Sequence, residues 1–147
     1  MVEIYGRWEF AANRGSEQEY PCGNDQDQNG VQHAHTWQGD FPYKNSRRAA
    51  APFSMPVDSF VANDFGLFNM IGNVWEWTVD PFQSAHNFAI NYCSPRRDVQ
   101  VGQNIVTKGG AFLCAPSYCW RYRASARSPQ EAYSSTSNLG FRCVDQC

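Results

Sequence analysis

Almost nowhere along this chain do apolar side chains recur at the three- and four-residue spacing that gives a long helix its buried face. The exception is residues 8–14 (WEFAANR), where Trp, Phe and Ala fall on one side and suggest the end of a short helix. Turn formers punctuate much of the rest: Pro21-Cys22-Gly23-Asn24, Asn29-Gly30, Gly39-Asp40 and Asn45-Ser46. Residues 49–51 form a small-residue patch in a loop, and 81–104 are mostly polar loop. Between them, residues 66–77 alternate apolar and small side chains, and 74–78 predict a short strand. Further strands are expected at 105–113, interrupted by Gly109-Gly110, at 120–126, where Trp, Tyr and small residues alternate with Arg, and at 139–144. No repeat or low-complexity tract appears. The pattern predicts an irregular, loop-rich α+β domain with short strands and few helices.

A chain of 147 residues fits one domain with one modest core. At 42% hydrophobic and 18% charged it is globular in class, and the 15% aromatic content, with five Trp, predicts a core built on large rings. The formal net charge of −2 carries no basic excess, so neither nucleic acid nor an anionic membrane surface is an expected partner. No apolar run approaches the roughly 20 residues of a membrane span. Residues 1–14 show no basic segment followed by an apolar one, so no signal peptide is visible.

Six cysteines are present: Cys22, Cys93, Cys114, Cys119, Cys143 and Cys147. They permit three disulfides in any of about 15 connectivities. For a chain this long they are sparse, which favours a few thiols with chemistry over a full disulfide framework. Cys114-Ala115-Pro116-Ser117-Tyr118-Cys119 is the candidate. In a strand, residues five apart lie on opposite faces, roughly 16 Å from each other. In a helix they sit about 140° apart around the axis. Neither brings both sulfurs to one atom, whereas a turn at Pro116-Ser117 does. Two converging thiolates make a local disulfide or bind a soft metal such as Cu(I), and structural zinc wants four ligands. Arg121, Arg123 and Arg127 would help keep thiolates charged. On spacing alone, disulfide and metal site stand level.

The surrounding string is long and ordered: Lys108-Gly109-Gly110-Ala111-Phe112-Leu113-Cys114, Ser117-Tyr118-Cys119, Arg121-Tyr122-Arg123, Ala126-Arg127-Ser128 and Ser137-Asn138-Leu139-Gly140-Phe141-Arg142-Cys143. It resembles the C-terminal signature of the formylglycine-generating enzyme (sulfatase-modifying factor) family. Residues Gly66-Leu67-Phe68-Asn69-Met70-Ile71-Gly72-Asn73-Val74-Trp75-Glu76-Trp77-Thr78, Trp37-Gln38-Gly39-Asp40-Phe41-Pro42 and Pro56-Val57 resemble its other motifs. The resemblance covers nearly the whole chain. It implies the C-terminal half of the family domain over 8–147, with 1–7 a divergent N-terminus, and the family's fold, related to C-type-lectin-like domains. The implied activity is an oxidoreductase's: conversion of a cysteine in a Cys-x-Pro-x-Arg segment of a sulfatase polypeptide to formylglycine, with O₂ as acceptor. By residue match, Cys114 and Cys119 would be catalytic and hold copper, with the substrate thiolate as a further ligand. Trp75, Tyr118, Arg127 and Asn138 match positions lining the substrate groove. Asn69, Gly72, Val74 and Glu76 match a structural Ca²⁺ site, the glycine and valine offering only carbonyls. Taken singly, the groove residues are equally well explained as rim aromatics, an ion pair and a turn former.

The chain also departs from the family pattern. Ala111 stands where the family's Gly-Gly-Ser motif has Ser, removing a hydroxyl close to the cysteines. A second calcium site would need ligands at His35, Thr36, Ala49 and Ala51; His and Ala are poor hard-cation ligands, so that site is expected to be absent. His33-Ala34-His35 suggests either a transition-metal pair or, the favoured reading, a solvated loop. Ala12 and Ala124 stand where the resemblance implies a disulfide of animal members, a bacterial pattern for which the cytoplasm is the expected compartment, although the absence of a visible leader does not establish it. Cys22 replaces a Trp, Cys143 matches a position that pairs upstream of this chain, and Cys93 and Cys147 have no counterpart. The family domain starts well before Trp8, so the resemblance implies a fragment, a gene-model error or a truncated paralogue, expected as a monomer. The competing functions are a non-catalytic, lectin-like binding scaffold and, ranked lower, a relative of sulfoxide synthases with His-bound iron at His33 and His35.

Overall fold

In this computed structural model, the structure describes residues 5–24, 32–46, 53–84 and 98–144. Ala49, Ala51, Cys93 and Cys147 lie outside the described residues.

One helix, α1 (Tyr5–Asn13), opens the chain. Trp8 and Ala12, four residues apart, are 0% and 1% exposed and face the core, as helical spacing requires. Arg14 and Gly15 then take positive φ (59° and 68°), and the Arg14 N–H donates to Phe10 O (2.7 Å), a left-handed cap that ends the helix.

Four short strands follow: β1 (Trp75–Pro81), β2 (Asn104–Lys108), β3 (Ser128–Glu131) and β4 (Leu139–Phe141). They form one sheet in the order β3-β2-β1-β4. β1 pairs antiparallel with β2, β2 antiparallel with β3, and β1 parallel with β4 through Trp75 opposite Leu139. Among the described residues, the small sheet, the single helix and the loops between them bear out the α+β, strand-poor expectation.

In β1 the buried face carries Glu76, Thr78 and Asp80, while Trp75, Trp77 and Val79 are only partly covered or exposed. A buried polar row needs partners. Thr78 Oγ1 donates to Val106 O (2.9 Å). Glu76 Oε2 accepts from Trp8 Nε1 (2.6 Å) and Arg142 Nε (3.1 Å), and Oε1 from Arg142 Nη2 (2.8 Å). The carboxylate thereby joins α1, β1 and the residue just after β4.

The core gathers Trp8, Ala12, Tyr20, Ala34, Met70, Ile71, Cys114, Tyr122 and Ala124, with Cys119, Cys22 and Trp75 packed against it. Large rings do anchor it, although Trp8 alone among the tryptophans is fully buried. Ala12 and Ala124 are both in this cluster and pack as small apolar surface.

Two strand expectations fail, and one strand forms that the sequence did not announce. Residues 120–126 are not a strand: the Ala124 N–H reaches Glu19 O (3.4 Å) and the Ala126 N–H turns back to Arg123 O (3.0 Å), so no ladder forms. The strand expected at 105–113 stops at Lys108, because after the glycines the Cys114 N–H closes a turn on Ala111 O (2.8 Å). β3, of sequence SPQE, carries no apolar alternation; it is an edge strand recruited by pairing with β2, where Pro129 is tolerated.

Candidate thiol site and its surroundings

The chain leaves β2 through Gly109 and Gly110. At Gly110 (φ 72°) a Cβ would sit 2.7 Å from Tyr122 Cβ and 2.9 Å from its Cα, so only glycine lets the segment press against the backbone at Tyr122. Two turns then follow in succession. The first is the Ala111–Cys114 turn above. In the second, Ala115 O accepts from the N–H groups of Tyr118 (3.0 Å) and Cys119 (2.8 Å), a tight loop at Pro116-Ser117. The result is the convergence that a turn at Pro116-Ser117 permits: Cys114 Sγ and Cys119 Sγ lie 2.8 Å apart as free thiols. Cys114 is 2% exposed and Cys119 half-buried, so one sulfur faces the core and the other the surface.

The two thiols compete for one proton. Their mutual hydrogen bond, before any other cause, pulls Cys119 down to about 6; the backbone N–H and positive charge of Arg121 help, and burial opposes. The same hydrogen bond and then burial push Cys114 up. Cys119, the less buried sulfur with Arg121 beside it, is therefore the more acidic of the pair, and the Ala111 N–H lies 3.4 Å from Cys114 Sγ.

Loops distant in sequence hold the turn. The Trp37 N–H donates to Cys114 O (2.9 Å). Phe41 stacks on Tyr118 (centroids 4.5 Å, 14° between planes), and Trp37 meets Phe41 edge-on at 5.1 Å. On the other side, Tyr20 stacks on Tyr122 (5.9 Å) and Trp120 Nε1 donates to Tyr20 Oη (2.8 Å). Burial raises the Tyr20 pKa, with the Trp120 bond opposing.

The other expected site residues sit as follows. Tyr118, beside Cys119, is 69% exposed. Trp75 packs against the cluster that contains Cys114, and its N–H donates to Asn138 O (2.8 Å), which joins those two residues at the β1–β4 junction. The Asn138 side chain accepts from Thr136 Oγ1 (2.7 Å). Arg127 is drawn toward the end of β1, its guanidinium 5.2 Å from the Phe82 ring and near Ser84 O (3.4 Å).

Around the expected calcium ligands the picture is divided. Asn69 Nδ2 donates to Val57 O (2.9 Å) and Pro56 O (3.2 Å), while its Oδ1 is buried with no partner, as a hard-cation ligand would be. Glu76 is already neutralised by Arg142, and its Oε1 accepts one bond. Gly72 is hemmed in: a Cβ there would stand 2.5 Å from His35 O, and its N–H donates to Gly109 O (2.7 Å). His35 is not in a solvated loop. It is 1% exposed, stacked on Phe112 (5.9 Å), with Nε2 3.0 Å from Phe53 O. Among the described residues, no group of three or more His, Cys, Asp or Glu could hold a metal ion.

Sequence reasoning missed Tyr20, Trp120 and Asn73. Asn73, at φ 60°, bonds the Met55 N–H and carbonyl through its amide (2.8 and 3.1 Å). Its signal was the Gly-Asn dipeptide. Tyr20 and Trp120 carried none, because they meet across the fold.

A small sheet that serves mainly to carry loops, with a dithiol turn braced by those loops, defines the class of architecture. A family model of the sulfatase-modifying factor enzyme 1-like domain matches residues 6–147. The chain belongs to this family. It is 43% identical over 145 residues to the formylglycine-generating enzyme of Mycobacterium tuberculosis, covering 93% of this chain and 48% of that protein. To the mouse formylglycine-generating enzyme it is 41% identical (93% and 37%), and to a Bos taurus protein named inactive C-alpha-formylglycine-generating enzyme 2 it is 35% identical (93% and 41%). The chain thus spans less than half of these relatives. Among solved structures, PvdO from Pseudomonas aeruginosa superposes with a TM-score of 0.70 at 24% identity (96% of this chain, 50% of that one). Treponema denticola variable protein 1 gives 0.68 at 23% (96% and 45%). At that identity they show the shared fold.

Proposed function

We propose that this chain carries the cysteine-bearing part of an oxidase that converts a sulfatase cysteine to formylglycine with O₂, using copper held by Cys114 and Cys119. One observation carries the reading: a turn brings one buried and one half-exposed sulfur to a single point at the surface. Two sulfurs are the donor set of a soft cation such as Cu(I), which when bound would supply O₂ activation. Cys119, the more acidic and more exposed of the two, offers the first ligand. Tyr118, Trp75, Asn138 and Arg127 would contact the substrate, a role that rests on the family resemblance; Tyr118 adjoins Cys119 in the turn, and Trp75 packs against the cluster that contains Cys114. A structural Ca²⁺ would take the buried Asn69 Oδ1, the carbonyls of Gly72 and Val74, and the remaining lone pairs of Glu76.

The test is titration of the reduced protein with Cu(I) against a competing chelator, followed by a Cys-x-Pro-x-Arg peptide under O₂. One tightly bound copper, lost in Cys119→Ser and kept in Cys22→Ser, is expected. Retained turnover after Cys119→Ser would sink the copper assignment.

One observation favours the alternative, a non-catalytic scaffold. Ala111 is 0% exposed with its N–H against Cys114 Sγ, so a methyl group stands where the family places a hydroxyl; a protein named inactive is also among the relatives. Turnover that appears or rises in Ala111→Ser identifies the hydroxyl as the missing element. No turnover in either form, from folded protein that binds no Cu(I), establishes the scaffold.

A further inference from the structure

The residue after Cys119 is a tryptophan used in an unusual way. Trp120 is 52% exposed, yet its indole N–H is not spent on solvent: it donates to the hydroxyl of Tyr20, which is 5% exposed and stacked on Tyr122. Arg123 covers the ring at 5.2 Å, and its Nε donates to Trp120 O (3.3 Å). Arg123 is in turn 3.7 Å from Glu19, and the Ala124 N–H reaches Glu19 O. Residues 19–20 therefore grip residues 120–124 by ring, hydrogen bond and ion pair, one residue beyond the half-exposed thiol. On the other flank the Phe41–Tyr118 stack grips the residue before Cys119. Inside the turn, backbone bonding reaches Cys119 at its N–H through Ala115 O and at its sulfur through the Arg121 N–H, which belongs to the same anchored segment as Trp120. A chain segment with no ladder has its direction set by such side-chain anchors.

We propose that the Tyr20–Trp120 hydrogen bond is a positioning device that sets where Cys119 Sγ stands relative to Cys114 Sγ, with Arg123 as its outer latch. Its use in catalysis rests on the function proposed above, but the thiol placement it controls exists without any metal.

That placement is measurable as an equilibrium. The chain is equilibrated, free of air, with mixtures of reduced and oxidised glutathione. Cys114 and Cys119 give up two electrons and two protons to glutathione disulfide, forming one protein disulfide and two glutathione thiols. The bridge is read by mass in the peptide that trypsin releases between Lys108 and Arg121, which contains both cysteines. Tyr20→Phe and Trp120→Phe keep their rings and remove the bond from opposite ends. Each is expected to lower the equilibrium constant about fivefold, the worth of a typical hydrogen bond. The double variant is expected to fall no further, because the two changes delete one interaction. Asn63→Ala removes bonds to Ala11 O, Phe65 N and Leu67 N on another face; it should lower the melting temperature and leave the equilibrium constant unchanged. Constants within twofold of the parent in both folded single variants, or an equal fall in Asn63→Ala, would overturn the proposal. Should Tyr20→Phe fail to fold, Trp120→Phe decides alone, since its ring is at the surface. A fivefold fall in a protein that binds no Cu(I) upholds the clamp and removes the copper reading.

Discussion

The sheet and the cysteine turn sit side by side and are held by different means. β1 and β2 are joined by a backbone ladder, and the Glu76 carboxylate ties β1 to α1 and to the residue after β4. The segment 110–124 has no ladder; it is held by a glycine pressed against Tyr122 and by rings from loops about 80 to 100 residues away in sequence. The difference teaches that stability and thiol placement are largely separable here. A ladder resists local change because each bond supports the next, whereas an anchored loop can shift by one anchor without unfolding.

The comparison breaks most sharply at Gly110. Gly110→Ala puts a methyl within about 3 Å of Tyr122 backbone at a positive φ, which strains the hinge where sheet meets turn. A loss of about 4 kcal/mol in urea unfolding is expected, in the range of severe backbone or packing defects; a loss below about 1 kcal/mol would mean that the two segments can part freely.

The next effect is pH-dependent and lives on the sheet. Lys108 is fully buried, donates to Glu9 (2.7 Å) and Ala126 O (2.6 Å), and is lowered from 10.5 to about 8, chiefly by burial, with Glu9 opposing. Between those values the unfolded chain binds more protons than the folded one. Stability therefore rises with pH across that window, and falls as pH drops toward 8. The wild type minus Lys108→Met difference should climb by about 3 kcal/mol from pH 8 to 10.5, at about 1.4 kcal/mol per unit. A flat difference would show that the lysine escapes its burial.

Arg142→Met leaves Glu76 charged and half-satisfied. Complete burial of such a broken pair costs about 3–5 kcal/mol, and partial exposure of the arginine brings this nearer about 2 kcal/mol. The glutathione equilibrium should not move; if it does, sheet and turn are one unit.

The smallest effect is calcium removal. A chelator should lower the melting temperature by a few degrees in wild type and by nothing in Asn69→Ala, and equal shifts in both would remove Asn69 from the site.

How much of this was legible depends on distance along the chain. The helix, β1 and the turn at Pro116-Ser117 could be read because spacing and turn chemistry act within a few residues. β3 could not, since SPQE becomes a strand only when β2 offers it an edge. The Trp120–Ala126 alternation misled for the converse reason: strand-like residues found no partner strand, and their N–H groups went to Glu19 and to a local turn. His35 read as solvated because no local pattern announces that Phe112 will stack on it.

By itself, then, the sequence determined the strand-poor fold class, the family and that Cys114 and Cys119 can meet only through a turn, all of which follow from short-range geometry and an ordered string of residues. Only the tertiary structure decided which sulfur is buried, that Glu76 is bound by Arg142 and Trp8, and that Tyr20 holds Trp120. Those outcomes depend on which distant groups share a dry interior, where an unpaired charge or polar atom is costly and each must find its partner in space.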